Sequence, residues 1–330
     1  MLAAALIATV LLQLLTQYGL NFWNRDFFDA VGRRDGTQLW TEALRFVPLA
    51  TASLVLTVFS VWGRMTMQRS WREWLSSHLY DYWLKDNRYA RLGSAAMDHQ
   101  APEYRIAEDA KVATDLPVDL VLGLFSSLLN AVTFIGILWS VGGSLAIDLD
   151  GFALTIPGYL VVAVVAYSVL LSASIFLIAR HLTRVIEENK RIEAELRAVG
   201  THLRESGEGK ALPDAKRDPR HVIGAALKAV IATWRIYMWQ LMRMTLVTYS
   251  SLLITPVIGL LLCTPKYLAE TMTLGEVVQA AAAFVVVQGA FSWFTDNYAR
   301  LAEWAASANR VASLLLALDE IDQTPKKTPS

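Results

Sequence analysis

FALTIPGYLVVAVVAYSVLLSASIFLIARHLTRVIEENKRIEAELRAVGTHLR, residues 152–204, starts as an apolar run and ends as a charged one, with no proline after Pro157 to interrupt it. Residues 152–178 supply the roughly 20 largely apolar positions that a helix needs to cross a hydrocarbon core about 30 Å thick. Beyond Arg180, Leu182, Val185, Asn189, Ile192, Leu196, Val199 and Leu203 recur at alternating steps of three and four, a heptad seam. Joined, the two halves describe one helix that leaves the bilayer and continues into water. Glu187 with Arg191 and Glu193 with Arg197 stand at i,i+4 on its solvated face. At about 1.5 Å per residue, the extension reaches roughly 35–40 Å past the membrane.

Five more windows have the same apolar length, residues 2–20, 44–63, 116–142, 236–263 and 274–294, so the chain reads as six spans. Basic residues then fix an expected orientation. Residues 64–115 carry Arg64, Arg69, Arg72, Lys85, Arg88, Arg91, Arg105 and Lys111, and residues 180–235 are richer still, so both segments read as cytoplasmic. Residues 143–151 hold no Lys or Arg and residues 264–273 only Lys266. These connections face outward, and both termini face the cytoplasm. The first connection dissents mildly, with Arg25, Arg33, Arg34 and Arg45 offset by Asp26, Asp29, Asp35 and Glu42.

Composition agrees: 54% hydrophobic residues, 11 Trp and a mean hydropathy of +0.36 are apolar-heavy for a soluble domain, while 18% charged residues leave room for aqueous parts. A net charge of zero offers no basic surplus for a nucleic-acid partner. Residues 2–20 read as a retained span rather than a cleaved leader, since no basic segment precedes them and no small-x-small site follows. Cys263 is alone, the five His have no HxxxH or HExxH spacing, and no GxSxG is present, which removes disulfide, zinc and nucleophile-elbow chemistry from the expectations.

A stretch of about 50 residues between spans is too long to be structureless in a compact protein. In the first basic segment Trp71, Trp74, Leu75, His78, Leu79, Tyr82 and Trp83 form an aromatic helical stripe. Glycine and proline then break each extension, at residues 91–97 and 207–214. Two long cytoplasmic helical hairpins result, with tips near residues 95–109 and 204–216. Such tips either dock a partner or pack on each other.

Polar side chains within spans are costly and tend to face a bundle interior or an aqueous path. Arg243, with Trp239 and Gln240 one turn away, and Asn130, Gln279 and Gln288 are the candidate substrate-pathway residues. Snorkelling toward the inner interface is the alternative for Arg243, and helix–helix hydrogen bonding is the alternative for the amides. Glu276, at the start of the sixth span, is either a proton site or a carboxylate favoured at a helix N-terminus.

Several segments carry a family pattern. Asn21-Phe-Trp-Asn-Arg-Asp-Phe-Phe-Asp-Ala resembles the NxWNRDFFDAL signature of the SbmA/BacA-like bacterial ABC transporters, half-transporters related to the peroxisomal acyl-CoA transporters. Residues 101–109 resemble its NPDQRIxED motif, keeping Pro102, Arg105, Ile106, Glu108 and Asp109 and departing at Ala101, Glu103 and Tyr104. Residues 204–212 resemble its RENxExIAL element, keeping Glu205, Glu208, Ala211 and Leu212, with Ser206 and Lys210 as departures. Residues 273–284 and 296–311 are similar to its sixth span and exit helix.

The resemblance implies an all-α, type IV exporter-like transmembrane domain over residues 1–318, with a C-terminal tail at 319–330. Two copies would form a domain-swapped homodimer in the bacterial inner membrane. Pro102, Arg105, Glu108, Asp109, Glu205 and Glu208 would form the tips that couple to an ABC ATPase domain or subunit. No GxxxxGK[ST] occurs, and Gly207-Glu-Gly-Lys210 lacks the first glycine at the right spacing and follows a helix instead of a strand. The nucleotide-binding domain is therefore absent from these residues. The chain by itself is expected to be no enzyme and to bind no cofactor, with ATP and Mg2+ held by that ATPase. The expected function is a permease moving peptides or other large hydrophilic or amphipathic compounds by alternating access. An ATPase-free, proton-coupled peptide importer of the SbmA/BacA type is the alternative, and a membrane scaffold without transport is a third reading.

Overall fold

The computed structural model describes residues 1–91, 102–149, 152–207 and 219–323. Six long helices dominate it: α1 Leu2–Arg33, α2 Gly36–Leu84, α3 Ala110–Gly142, α4 Tyr159–Gly207, α5 Pro219–Leu268 and α6 Leu274–Gln323. Each contains a stretch long and apolar enough to cross a membrane. The architecture is a nearly all-helical membrane domain.

Two connections differ from the sequence expectation. Residues 21–43 are not a loop: α1 runs through the charged stretch to Arg33, Arg34 adopts φ 57°, and α2 begins after Asp35. Asp35 caps α2 by accepting from the backbone N–H groups of Thr37 and Gln38. Aromatic contacts line this extension, with Trp23 stacked on Phe27 and packed on Phe46 of α2, and Trp23 Nε1 donating to the Glu42 carbonyl at 2.7 Å. The dissenting arginines are largely matched locally: Arg25–Asp26 at 3.0 Å, Arg33–Asp29 at 4.0 Å and Arg45–Glu42 at 2.7 Å.

The expectation of an all-α chain also needs correction, because the third connection is a β-hairpin. β1 Ser144–Leu149 pairs antiparallel with β2 Phe152–Pro157, from Ser144↔Pro157 to Leu149↔Phe152. The fourth helix thus starts at Tyr159 rather than at residue 152. A strand and a helix of the same apolar residues are alike to a hydropathy window, and the Asp150-Gly151 pair is a hairpin turn signal. At the hairpin base Gly158 N donates to the Gly143 carbonyl at 2.8 Å, and Lys266 Nζ donates to the Gly142 carbonyl at 2.5 Å. Gly158 has φ +60°, and a Cβ there would stand 2.4 Å from the Trp139 ring. Gly158→Ala is expected to cost about 2–4 kcal/mol of local stability. Limited proteolysis should then cut the hairpin several-fold faster than in wild type.

Residues fall into two compact units, 1–164 with 258–330, and 165–257. In the first, α1, α2, α3 and α6 pack together around Leu6, Val10, Phe134, Leu138, Phe284 and Val287, all buried. A run of small residues, Ala280, Ala281 and Ala283, lets α6 approach its neighbours closely.

The second unit holds the long helical extension. All seven seam residues from Leu182 to Leu203 are half-buried, as the heptad reading requires. Val230 and Thr233 of α5 are buried, Trp234 Nε1 donates to Glu193 at 3.4 Å, and Tyr167 bonds Thr255 at 3.0 Å. The surface ion pairs are not the expected ones: Arg191 bonds Glu188 at 2.5 Å and Glu195 at 2.6 Å, while Glu193 accepts from Asn189 and Trp234. The hydrogen bond from Arg191 holds the Glu188 carboxyl below its ordinary pKa. Such exposed pairs contribute little to stability.

Candidate functional site

The motif at residues 102–109 folds in two steps, a short helical turn Pro102–Tyr104 and a π-helical turn Arg105–Asp109 that runs directly into α3. A π-turn widens the helix and often marks a functional site. Here it places Arg105, Ile106, Asp109 and Ala110 inward, all buried, and leaves Glu103, Tyr104, Ala107 and Glu108 exposed.

The inward face meets α2 and α6. Ile106 and Ala110 join Leu79 of α2 and Val311, Leu314 and Leu318 of α6 in one apolar cluster. Around it lies a polar joint. Arg310 grips Asp109 in bidentate fashion, Nε to Oδ2 at 2.9 Å and Nη2 to Oδ1 at 2.6 Å, and Nη2 also donates to Ser307 Oγ at 2.9 Å. Arg105 Nη1 donates to Ser313 Oγ at 2.8 Å and to the Arg310 carbonyl at 3.4 Å. Farther along, the Tyr82 hydroxyl donates to Asp319.

Two pKa shifts follow from these contacts. The hydrogen bond to Asp109 raises the Arg310 pKa, so its charge is permanent at any working pH. The hydrogen bond to Asp319 raises the Tyr82 pKa above the ordinary phenol value. A raised pKa stabilises the fold below the unfolded value near 10. That contribution, small for an exposed hydroxyl, is present at neutral pH and is lost as pH rises through the folded value.

Arg105 and Asp109, two of the residues expected to form the coupling tip, are turned into the chain, where they bond the turn to α6. Glu108 is on the exposed face and Pro102 starts the turn. Glu205 is half-buried near the end of α4, 3.9 Å from His202, while Glu208 lies outside the described residues.

The candidate pathway residues are divided between the two units. Arg243 and Gln240 belong to the second unit: Arg243 is exposed with its guanidinium 5.6 Å from the Trp239 ring, and Gln240 Nε2 donates to the Ile178 carbonyl at 2.9 Å. Asn130, Gln279 and Gln288 belong to the first. Asn130 and Gln288 are half-buried, and Gln279 is fully enclosed with neither amide atom bonded within the chain. Its backbone carbonyl accepts from Asn21 Nδ2 at 3.1 Å, which ties the first motif to α6. Gln279→Leu is expected to keep or raise the melting temperature, because it removes two unpaired polar groups while preserving volume. A fall of several degrees would show that the amide is satisfied.

Glu276 has a structural role. Its Oε2 accepts from Thr273 N at 2.9 Å, and Thr273 Oγ1 accepts from Glu276 N at 3.2 Å, a reciprocal capping box at the start of α6.

Some contacts escaped the sequence reading. Asp119 receives Arg300 of α6 at 3.0 Å and Arg64 of α2 at 3.6 Å, joining three helices. A carboxylate inside the 116–142 window was the available signal. Asp29 Oδ1 accepts from Gly275 N at 2.8 Å and binds the first motif to the start of α6. Among the described residues no group of three metal-ligating side chains occurs.

The geometry fits what comparison with known proteins finds. The profile of the ABC transporter transmembrane region 2 family matches residues 1–302. The inner membrane ABC transporter ATP-binding protein YddA of Escherichia coli is 28% identical over 324 residues, covering 94% of this chain and 56% of the relative. An uncharacterized ABC transporter ATP-binding protein of Synechocystis is 26% identical over 303 residues, 91% of this chain and 43% of the relative. The chloroplastic ABC transporter D family member 2 of Arabidopsis thaliana is 19% identical over 316 residues, 96% and 42% respectively. The chain spans about half the length of the curated relatives it matches.

Proposed function

The chain belongs to the ABC transporter transmembrane region 2 family, and from that premise we propose that it is the permease part of an ABC-type transporter driven by ATPase domains outside these residues. Two copies form the pathway, with the extensions of α2 and α4 on the cytoplasmic side of an inner membrane and both termini facing in. Peptides or other large hydrophilic or amphipathic compounds cross by alternating access.

The observation that carries this reading is the joint between the first tip and α6. An ATPase pressing on the exposed Glu103–Glu108 side would push on a turn bonded to α6 through Asp109–Arg310, Arg105–Ser313 and the Ile106 cluster. Force at the tip is then force on a helix 50 residues long. The names of the relatives support an ATP-driven form, since they are called ATP-binding proteins and are about twice as long as the matched part. The capping box at Glu276 weighs against the proton-coupled alternative, whose sequence candidate it was.

A photo-crosslinker placed at Glu108 tests the contact. In cells it should capture peptides of an ABC nucleotide-binding domain, identified by their Walker A sequence, and the same probe at the inward-facing Asp109 should not. Equal capture from both positions, or none from Glu108, would contradict the proposed docking face.

A further inference from the structure

On the side of α2 facing the π-turn lies a cleft of about 530 Å3, lined by Arg69, Arg72, Glu73, Ser76, Ser77 and Tyr80 together with Ile106 and Ala107. The α2 residues recur at steps of three, one, three, one and three, so a single helix face supplies two guanidinium groups and three hydroxyls. Among the described residues neither arginine has a carboxylate within ion-pair distance, and Glu73, the cleft's own carboxylate, is farther than 4.0 Å from both. Their neighbours differ. In the same unit Arg64 and Arg300 are matched by Asp119 and Arg310 by Asp109, whereas the cleft, with two arginines and one glutamate, keeps a net positive charge.

The level of the cleft says what anion is within reach. The apolar window of α2 ends at Gly63, and at ~1.5 Å per residue Arg69 and Arg72 stand roughly 9 and 14 Å farther along the helix. Headgroups occupy about the first 5–8 Å outside the hydrocarbon core, and arginine side chains snorkel back toward them. Trp71, exposed, lies between the two arginines along α2, and amphipathic rings favour the neighbourhood of the membrane–water interface. Guanidinium groups bind phosphate through paired, charge-assisted hydrogen bonds.

We propose that this cleft binds the phosphate headgroup of an anionic lipid from the leaflet at the basic end of the helices, with Arg69 and Arg72 as the phosphate ligands. A lipid held there touches Ile106 and Ala107, next to the joint between the π-turn and α6. The site depends on neither the ATPase nor the direction of transport.

The test is binding of dihexanoyl phosphatidylglycerol and dihexanoyl phosphatidylcholine to the detergent-purified chain. Two basic ligands at a membrane surface give about a 30-fold preference for the anionic lipid. R69Q/R72Q should abolish the preference, and R33Q, at the opposite end of the membrane domain, should leave it intact. Retention of the preference in a monodisperse R69Q/R72Q protein, equal loss in R33Q, or no preference in wild type would overturn the proposal. Displacement of the lipid by glycerol 3-phosphate at equal concentration would also overturn it, assigning the cleft to a soluble phosphate instead.

Discussion

Gly275→Ala is expected to be the most damaging single-methyl change in the chain. A Cβ at this position would lie 2.0 Å from the Arg25 carbonyl oxygen and 2.6 Å from Asp29 Oδ1. The nearest atom is backbone, so no rotamer change relieves the clash, and α1 and α6 must separate. Separation also breaks the 2.8 Å bond from Gly275 N to Asp29, which satisfies one of the free N–H groups in the first turn of α6. Overpacking and the loss of a hydrogen bond to a charged acceptor together predict about 3–5 kcal/mol of destabilisation. Asp29→Ala loses the hydrogen bond and the long, exposed pair with Arg33, without any clash, and should cost about 1.5–3 kcal/mol. Unfolding in mixed detergent micelles measures both, and a Gly275→Ala protein no weaker than Asp29→Ala would contradict the close approach.

Arg310→Ala is the second large effect. It leaves the Asp109 carboxylate, only 3% exposed, with no cation. Breaking a buried pair from one side costs about 3–5 kcal/mol. Because the Arg310 side chain is 38% exposed, water recovers part of this, and about 2–3 kcal/mol is expected. Asp109→Ala should cost less, since the guanidinium it strands can turn to solvent. Replacing both, as Asp109→Leu with Arg310→Met, should restore most of the stability because the adjoining cluster is apolar. A double variant as weak as Arg310→Ala would show that the joint needs its charges for more than charge balance.

These two sites show how unevenly the structure could be read from the residues. The apolar windows mark the six spans because membrane thickness sets their length. The seam from Leu182 to Leu203 is half-buried at every position, since a 3.5-residue period is a property of the helix itself. The tip motif at residues 102–109 was visible as a motif, but its orientation was not. A π-turn depends on packing, and Arg310 is 201 residues from Asp109.

Local ambiguity accounts for the other differences. The helical stretch beyond residue 20 carries charges that end an apolar window without ending a helix. Phe152, Ala153, Leu154 and Ile156 count equally for a strand and for a span. Buried polar partners such as Asn21 with Gln279, or Asp119 with Arg64 and Arg300, are long-range pairings that no local period records.

The central claim is that ATP drives transport through the tip and its joint with α6. Uptake of fluorescent peptides into proteoliposomes containing the chain and the proposed ATPase, with ATP on the side of the basic extensions, tests it most directly. The account predicts uptake that requires hydrolysable ATP, persists when the pH gradient is dissipated, and falls in Arg310→Ala at a temperature where that variant remains folded. Uptake driven by a pH gradient in vesicles holding this chain without any ATPase would contradict it.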